Sequence, residues 1–361
     1  MAGSFPGGVW RVGLMVAATA GAVGPARPAI GSEPRAKVAT ASSLASLDRQ
    51  IRQRAFDGKA DTCFQSTAPA KADDHLTLTL DAPATVRAIA ATTGLPDGGS
   101  PLSAGLLEVS VDGTAFAPVA TFDAQGVAKG DGGAAPIRAI RVRATGDLGH
   151  ALVVRELAIE SDRVKPFEHP VEFNVICTDA PELQAWTEAT ARLCEQWYDA
   201  LYDELPSDNF QPTDRVTLTM KKDYNGVAAA GGGRITGSTK YFEAHRDDQG
   251  AFIHETVHIL QNYRSRRNPG WLVEGVADYV RFFVYEPGKA GPVNPRRAKY
   301  DASYRTTAAF LDYLARTHDR EIVKKLDRAM REGTYDKALF EQLCGKPVEA
   351  LNDDWLASLR Q

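Results

Sequence analysis

Histidine and cysteine are scarce in this sequence, with seven and four among 361 residues. Four cysteines cannot form a dense disulfide framework over such a length. Cys63, Cys177, Cys194 and Cys344 show no CxxC spacing, which excludes a cysteine-based zinc site. Any bound metal must therefore be held mainly by histidine and carboxylate. Positive charge is not in excess either. Lys and Arg number 42 against 46 Asp and Glu, a net charge of −4, which argues against nucleic acid as a general partner. No apolar run reaches the roughly 20 residues of a transmembrane helix. What remains is an ordinary globular composition, 43% hydrophobic and 24% charged, which excludes wholesale disorder and fibrous repeats. At roughly 100–200 residues per domain the length suggests two domains.

The amino-terminal stretch reads as an export signal. Arg11 is the only charge before Arg27, and Val12–Gly24 is apolar and small. Such a segment has the length of a signal core and is too short to span a bilayer. Residues 1–29 are therefore read as a signal peptide and the protein as secreted or periplasmic. Export would permit disulfides. The four cysteines allow three pairings, and four free buried thiols are an equal alternative.

Residues 36–162 read as an all-β domain. His75–Leu80, Leu106–Val111, Ile137–Ala144 and Val153–Glu160 alternate apolar and polar residues, the mark of half-buried strands. Clusters of Gly, Pro and Asp separate them, and Asp112-Gly113 is a hairpin signal. Short strands at regular intervals point to a β-sandwich. Four pieces occur here in order: Val38–Ser43, Phe56–Thr62, Glu108–Phe116 and the late strand Ile137–Ala144. In this the stretch resembles the coagulation-factor 5/8 type C (discoidin-like) family of galactose-binding-like sandwiches. Cys63-Phe64 stand where that family usually has Trp. The resemblance implies a glycan or cell-surface ligand, against the alternative of a sandwich that only packs on its neighbour. Asp57 and Asp61 could hold a structural calcium, or simply form a turn.

A polar, proline-containing segment, 163–170, reads as a linker, and residues 171–361 then change character. Val171–Ile176 is a strand. From Pro181 to about Leu205 a helix is marked by Leu183, Trp186, Leu193, Trp197 and Leu201, with Asp179 as its candidate N-cap. Val216–Lys221 and Arg234–Phe242 are further strands. The second of these can pair with an extended peptide if it stands at a sheet edge; otherwise it is an internal strand. From about residue 250 the chain is mainly helical, which makes an α+β domain.

The chemistry lies in that helical region. In His254-Glu255-Thr256-Val257-His258, the two imidazoles are four residues apart and project from one helix face. So placed they can grip one zinc ion, with Glu255 beside the water it activates. A Pro269-Gly270 turn follows, and then Trp271–Val280 carries Glu274, 16 positions beyond His258. A helix–turn–helix return brings that carboxylate back to complete a His₂Glu set with one open position. Asp278, one turn further on, is placed to orient a ligand imidazole. Gly275 would let two helices approach closely. The plainer readings are hydrogen-bonded helical histidines and an acidic helix start. Tyr263–Asn268 is basic, but as a solvated turn it needs no ligand.

HExxH followed by ExxxD resembles the gluzincin metallopeptidases, the clan of thermolysin. The runs His254–Gln261, Pro269–Phe282 and Ser303–Leu314 are closer still to the basic secretory protein family of plant and microbial peptidases. The resemblance covers about residues 170–361. It implies a zincin-like metallopeptidase fold, Zn²⁺ as cofactor on His254, His258 and Glu274, Glu255 as general base and Asp278 behind the ligands. Val273 departs from the Asn that precedes this Glu in thermolysin-like enzymes. No oxyanion histidine is identifiable; Tyr304 is the candidate for that role, with Tyr279 and Tyr263 competing. The reading is an exported zinc metallopeptidase acting on protein or peptide, with a surface-binding accessory domain. The alternative is a non-catalytic secreted binding protein with a structural or inactive zinc site. A small-peptide hydrolase is a third reading, though no amine-recognition residue marks it.

Overall fold

The computed structural model describes residues 35–208, 213–265, 267–302 and 304–360. The expected signal segment lies outside them. No helix among the described residues is long and apolar enough to cross a membrane.

The first unit is a sandwich of nine strands: β1 (Val38–Ser42), β2 (Phe64–Pro69), β3 (His75–Ala84), β4 (Ala88–Thr93), β5 (Gly105–Ser110), β6 (Ala117–Thr121), β7 (Val127–Asp131), β8 (Ile137–Ala144) and β9 (Ala151–Glu160). They form a five-stranded sheet ordered β1-β3-β8-β5-β6 and a four-stranded sheet ordered β2-β9-β4-β7. Every pairing in both sheets is antiparallel. The alternation read from the sequence explains the layers. Leu76, Leu78 and Leu80 of β3 face Leu152, Val154 and Leu157 of β9 across one buried core. Outside that core, Glu108 of β5 accepts from Arg141 and Arg143 of β8 at 2.7 and 2.9 Å. Segment 163–170 is packed rather than free. Val164 and Phe167 enter the sandwich core, and Phe167 meets Phe56 edge to face at 5.9 Å. Asp57 accepts from the Thr62 hydroxyl and the Lys59 amide while Asp61 is exposed, so this loop closes as a turn.

The second unit begins with β10 (Glu172–Ile176) and a 3-10 turn at Pro181–Leu183, which leads into helix α1 (Gln184–Glu204). Ala180, not Asp179, occupies the N-cap, and no side chain caps it. Then come β11 (Arg215–Lys221), β12 (Ala228–Gly231) and β13 (Arg234–Ser238). The sheet order is β10-β11-β13-β12, parallel except for the antiparallel β12–β13 pair. Two sequence expectations change here. β13 is an internal strand, and the edge beside it is β12. It also ends at Ser238, whose hydroxyl accepts from the Tyr241 amide and starts helix α2 (Thr239–Ala244), so Tyr241 and Phe242 are helical. In α1 the buried face is a small-residue line, Thr187, Thr190, Ala191 and Cys194, continuing to Tyr198 and Leu201; Trp186, Leu193 and Trp197 cover its margins. The four cysteines are unpaired thiols.

Six further helices complete the unit: α3 (Gly250–Gln261), α4 (Gly270–Tyr279), which runs on as a π-helical turn to Tyr285, α5 (Tyr304–Thr317), α6 (Ile322–Glu332), α7 (Leu339–Cys344) and α8 (Val348–Ser358). Every residue of α3 except His258 is buried, so it is the central helix of this unit. It ends because Asn262 adopts a left-handed conformation at φ 35° and returns its amide to the His258 carbonyl.

Candidate metal centre

His254 and His258 stand on successive turns of α3, and Glu274 reaches them from the second turn of α4. Their three ligating atoms converge: Nε2 to Nε2 at 3.0 Å, and Glu274 Oε2 at 3.2 Å from each Nε2. Among the described residues this is the one group of three or more His, Cys, Asp or Glu side chains able to hold a metal ion. On the far side of each ring, Nδ1 faces an oxygen. His254 Nδ1–H donates to Asp278 Oδ1 at 2.7 Å, and His258 Nδ1–H donates to Gln261 Oε1 at 2.6 Å. Both Nε2 atoms therefore turn their lone pairs inward, toward each other and toward a carboxylate oxygen. Three electron-pair donors gathered in a buried space repel one another unless a cation lies between them. Bonds of about 2.0–2.1 Å at tetrahedral angles place zinc ligands about 3.3 Å apart, close to the separations found, so the donor set fits a metal.

The electrostatics follow from burial. Desolvation pulls the His254 imidazole down, but Asp278 and then Glu274 and Glu255 outweigh it, so the pocket favours positive charge at this spot. Burial alone would raise Glu274, but the pull of His254 and His258 holds it well below the usual carboxylate range instead. Glu255 is 3% exposed and follows the His254 ligand on α3. Burial pushes its pKa up, against the pull of His254 and His258.

Tyr304 starts α5 at φ 40°, a left-handed conformation that costs a bulky residue energy and recurs at functional sites. Its ring centroid lies 6.3 Å from that of His254. Burial, then the carboxylates of Glu274, Asp278 and Glu255, push the phenol up to about 12, so it stays protonated at neutral pH. The other tyrosines are engaged elsewhere. Tyr263 donates to Asp327 at 2.6 Å, and Tyr279 stacks on Phe283. Gly275 faces α5 rather than α3: a Cβ there would lie 2.2 Å from the Thr307 methyl. Gln261 was not singled out from the sequence, although its place three residues after His258 puts it on the same helix face. A separate hollow of about 730 Å³ lies on the sandwich, lined by Ala88, Ala90, Lys129, Asp131 and Glu160, away from these residues.

Comparison with curated proteins finds no match. Among solved structures the sandwich is similar to CBM32-1 from a family 31 glycoside hydrolase of Clostridium perfringens, at 15% identity over 34% of this chain and 94% of that one, with TM-score 0.30. It is also similar to chitosan-binding module 1 from a chitosanase/glucanase of Paenibacillus sp. IK-5, at 19% identity over 35% and 96%, with TM-score 0.31. A third is the family 32 CBM of Clostridium perfringens NanJ, solved with galactose, at 15% identity over 34% and 93%, with TM-score 0.28. Residues 181–355, within the α+β unit, match the family model described as BSP, peptidase of plants and bacteria.

Proposed function

We propose that the chain is a zinc metallopeptidase that hydrolyses protein or peptide substrates. The observation that carries the reading is Glu255, a buried carboxylate beside three converged metal-ligand atoms. A purely structural metal site has no use for a carboxylate at that place. This favours catalysis over the non-catalytic binding protein. The metal assignment is His254, His258 and Glu274, with Asp278 fixing the His254 tautomer. When bound, zinc supplies Lewis acidity for a water and for the scissile carbonyl. Glu255 takes the proton of the attacking water and passes it to the leaving amine. The Tyr304 hydroxyl donates to the oxygen that gains charge. β12, the open edge of the sheet, offers main-chain groups to an extended substrate.

Export belongs to the same proposal, on the strength of Arg11 and the apolar run Val12–Gly24. The sandwich would then hold the enzyme at a glycan or cell surface, as its resemblance to discoidin-like domains suggests. The decisive experiment measures bound metal and proteolysis of denatured protein by the purified chain and by Glu255→Gln. The variant should keep its zinc and lose about 10²–10⁴-fold in rate. Equal activity in the two proteins would sink the mechanism, and a glycan array on the full chain tests the sandwich.

A further inference from the structure

Gln261, the last residue of α3, uses both ends of its amide. Its Nε2 donates to the backbone carbonyl of Val273 at 3.1 Å, and its Oε1 lies 2.6 Å from His258 Nδ1. The orientation is not free. A carbonyl oxygen can only accept, so the NH₂ end must face Val273 and the oxygen must face the imidazole. That oxygen can also only accept, so His258 must carry its hydrogen on Nδ1. Its Nε2 lone pair is thereby left for the space shared with His254 Nε2 and Glu274 Oε2. The direction of one peptide carbonyl thus sets the tautomer of a ring one residue beyond it.

Val273 is also the residue before Glu274. The same amide therefore ties the α3 ligands to the α4 ligand and fixes their spacing. The end of α3 is itself held. Tyr263 donates to Asp327 Oδ1 at 2.6 Å, Arg331 reaches Asp327 Oδ2 at 2.8 Å, and Arg331 donates to the Leu260 carbonyl at 2.6 Å. Gln261 lies between these anchors and cannot follow its side chain elsewhere. His254 receives the same service from the Asp278 carboxylate, a charged partner; His258 receives it from a neutral one.

We infer that Gln261 is the positioning residue of His258, holding its Nδ1–H tautomer through the Val273 carbonyl and presetting the metal site; this rests on the metal reading above. The test uses the full chain labelled with ¹⁵N-histidine, wild type, Gln261→Met and Gln261→Glu. Zinc affinity is measured by competition with a chelating dye, and the tautomer by imidazole ¹⁵N shifts of metal-free protein at alkaline pH. Gln261→Met should bind zinc about 10–100-fold more weakly and show mixed His258 tautomers. Gln261→Glu keeps the acceptor for Nδ1–H but loses the donor to the Val273 carbonyl, so it should retain the Nδ1–H tautomer while binding zinc more weakly than wild type. Zinc binding by Gln261→Met within about twofold of wild type overturns the inference, and so does a Glu variant whose His258 tautomers are as mixed as those of the Met variant. Absence of zinc from the wild type would instead defeat the metal reading. The tautomer in metal-free protein would still decide the role of Gln261.

Discussion

Arg52 joins the two units through buried charge, and its removal should be costly. Its guanidinium lies 3.3 Å from Glu172 Oε1 on β10 and 3.0 Å from Glu195 Oε1 on α1, with the three side chains at 10%, 4% and 0% exposure. Gln53 beside it accepts from the Val171 amide at 2.8 Å, so the sandwich and the α+β unit share one polar seam. Deleting one partner of a buried ion pair costs about 3–5 kcal/mol, because the charge left behind is neither solvated nor paired. Some of that cost is offset here. Glu195 keeps Arg192 at 2.8 Å and the Phe173 amide at 2.7 Å, and Glu172 keeps the Ser46 hydroxyl at 2.7 Å. Arg52→Met should therefore lose about 3 kcal/mol, at the lower end of that range. Burial pushes Glu195 up, with Arg52 pulling the other way. Without Arg52 its folded-state pKa moves further above the unfolded value. A raised carboxyl contributes its stability below the unfolded pKa of about 4.3 and loses it as pH climbs through the folded pKa. The deficit should accordingly be larger at pH 8 than at pH 5. Urea unfolding followed by tryptophan fluorescence reads this directly, since Trp197 lies on α1 with Lys37 of the sandwich 4.2 Å from its ring centroid. Adding Glu195→Gln should recover about half the loss, because the stranded charge is then gone. A loss below about 1 kcal/mol, or one independent of pH, would refute the reasoning.

Two further outcomes are expected. Glu156 on β9 is raised to about 7 by burial and by Asp57, against amides of Gly58 and Lys59 that pull it down. Its stabilising contribution is complete below the unfolded value and disappears as pH rises through 7, so Glu156→Gln should raise Tm at pH 8 and leave it nearly unchanged at pH 5. An equal shift at both pH values would dismiss that assignment. Gly275→Ala should destabilise by about 1–3 kcal/mol despite the better helix propensity of Ala, since the new methyl meets the Thr307 methyl at 2.2 Å. Thr307 cannot rotate away while its hydroxyl donates to the Tyr300 carbonyl at 2.7 Å. Adding Thr307→Ser should restore part of the loss in thermal unfolding, and no rescue would point to the backbone instead.

What could be read in the sequence was local. The sandwich strands announced themselves by period-two alternation, and the His254–His258 spacing forces two rings onto one face of any helix that forms. Glu274 and Asp278 were reachable because a single turn separates the two helices. Three readings failed in whole or in part for equally local reasons. Thr239–Phe242 has the composition of a strand, but the Ser238 hydroxyl captures the Tyr241 amide and a helix starts there. Asp179 has the chemistry of a cap, yet the 3-10 turn at Pro181 moves the first free amides past it. The apolar stripe of α1 is only in part its buried face: Leu183 and Leu201 are buried, whereas small residues fill the space between them and Trp186, Leu193 and Trp197 stay at the margin. The charged seam had no local signal at all, because Arg52 and Glu195 are 143 residues apart.

The seam matters to the metal helix through α1. Glu195 on this helix holds the sandwich through Arg52, and the adjacent Cys194 lies against Thr256, one residue after Glu255. The Cys194 side chain is fully buried, and Gly237 of β13 touches Phe252 on another side of α3. A close-packed interior does not deform smoothly, so a shift of α1 is passed to α3 rather than absorbed between them. The position of the sandwich and the direction of the His254 and His258 side chains are therefore set by one continuous stack. A variant that loosens Arg52 should disturb metal affinity as well as stability. A variant on the outer face of β4, which touches no part of that stack, should leave metal affinity unchanged.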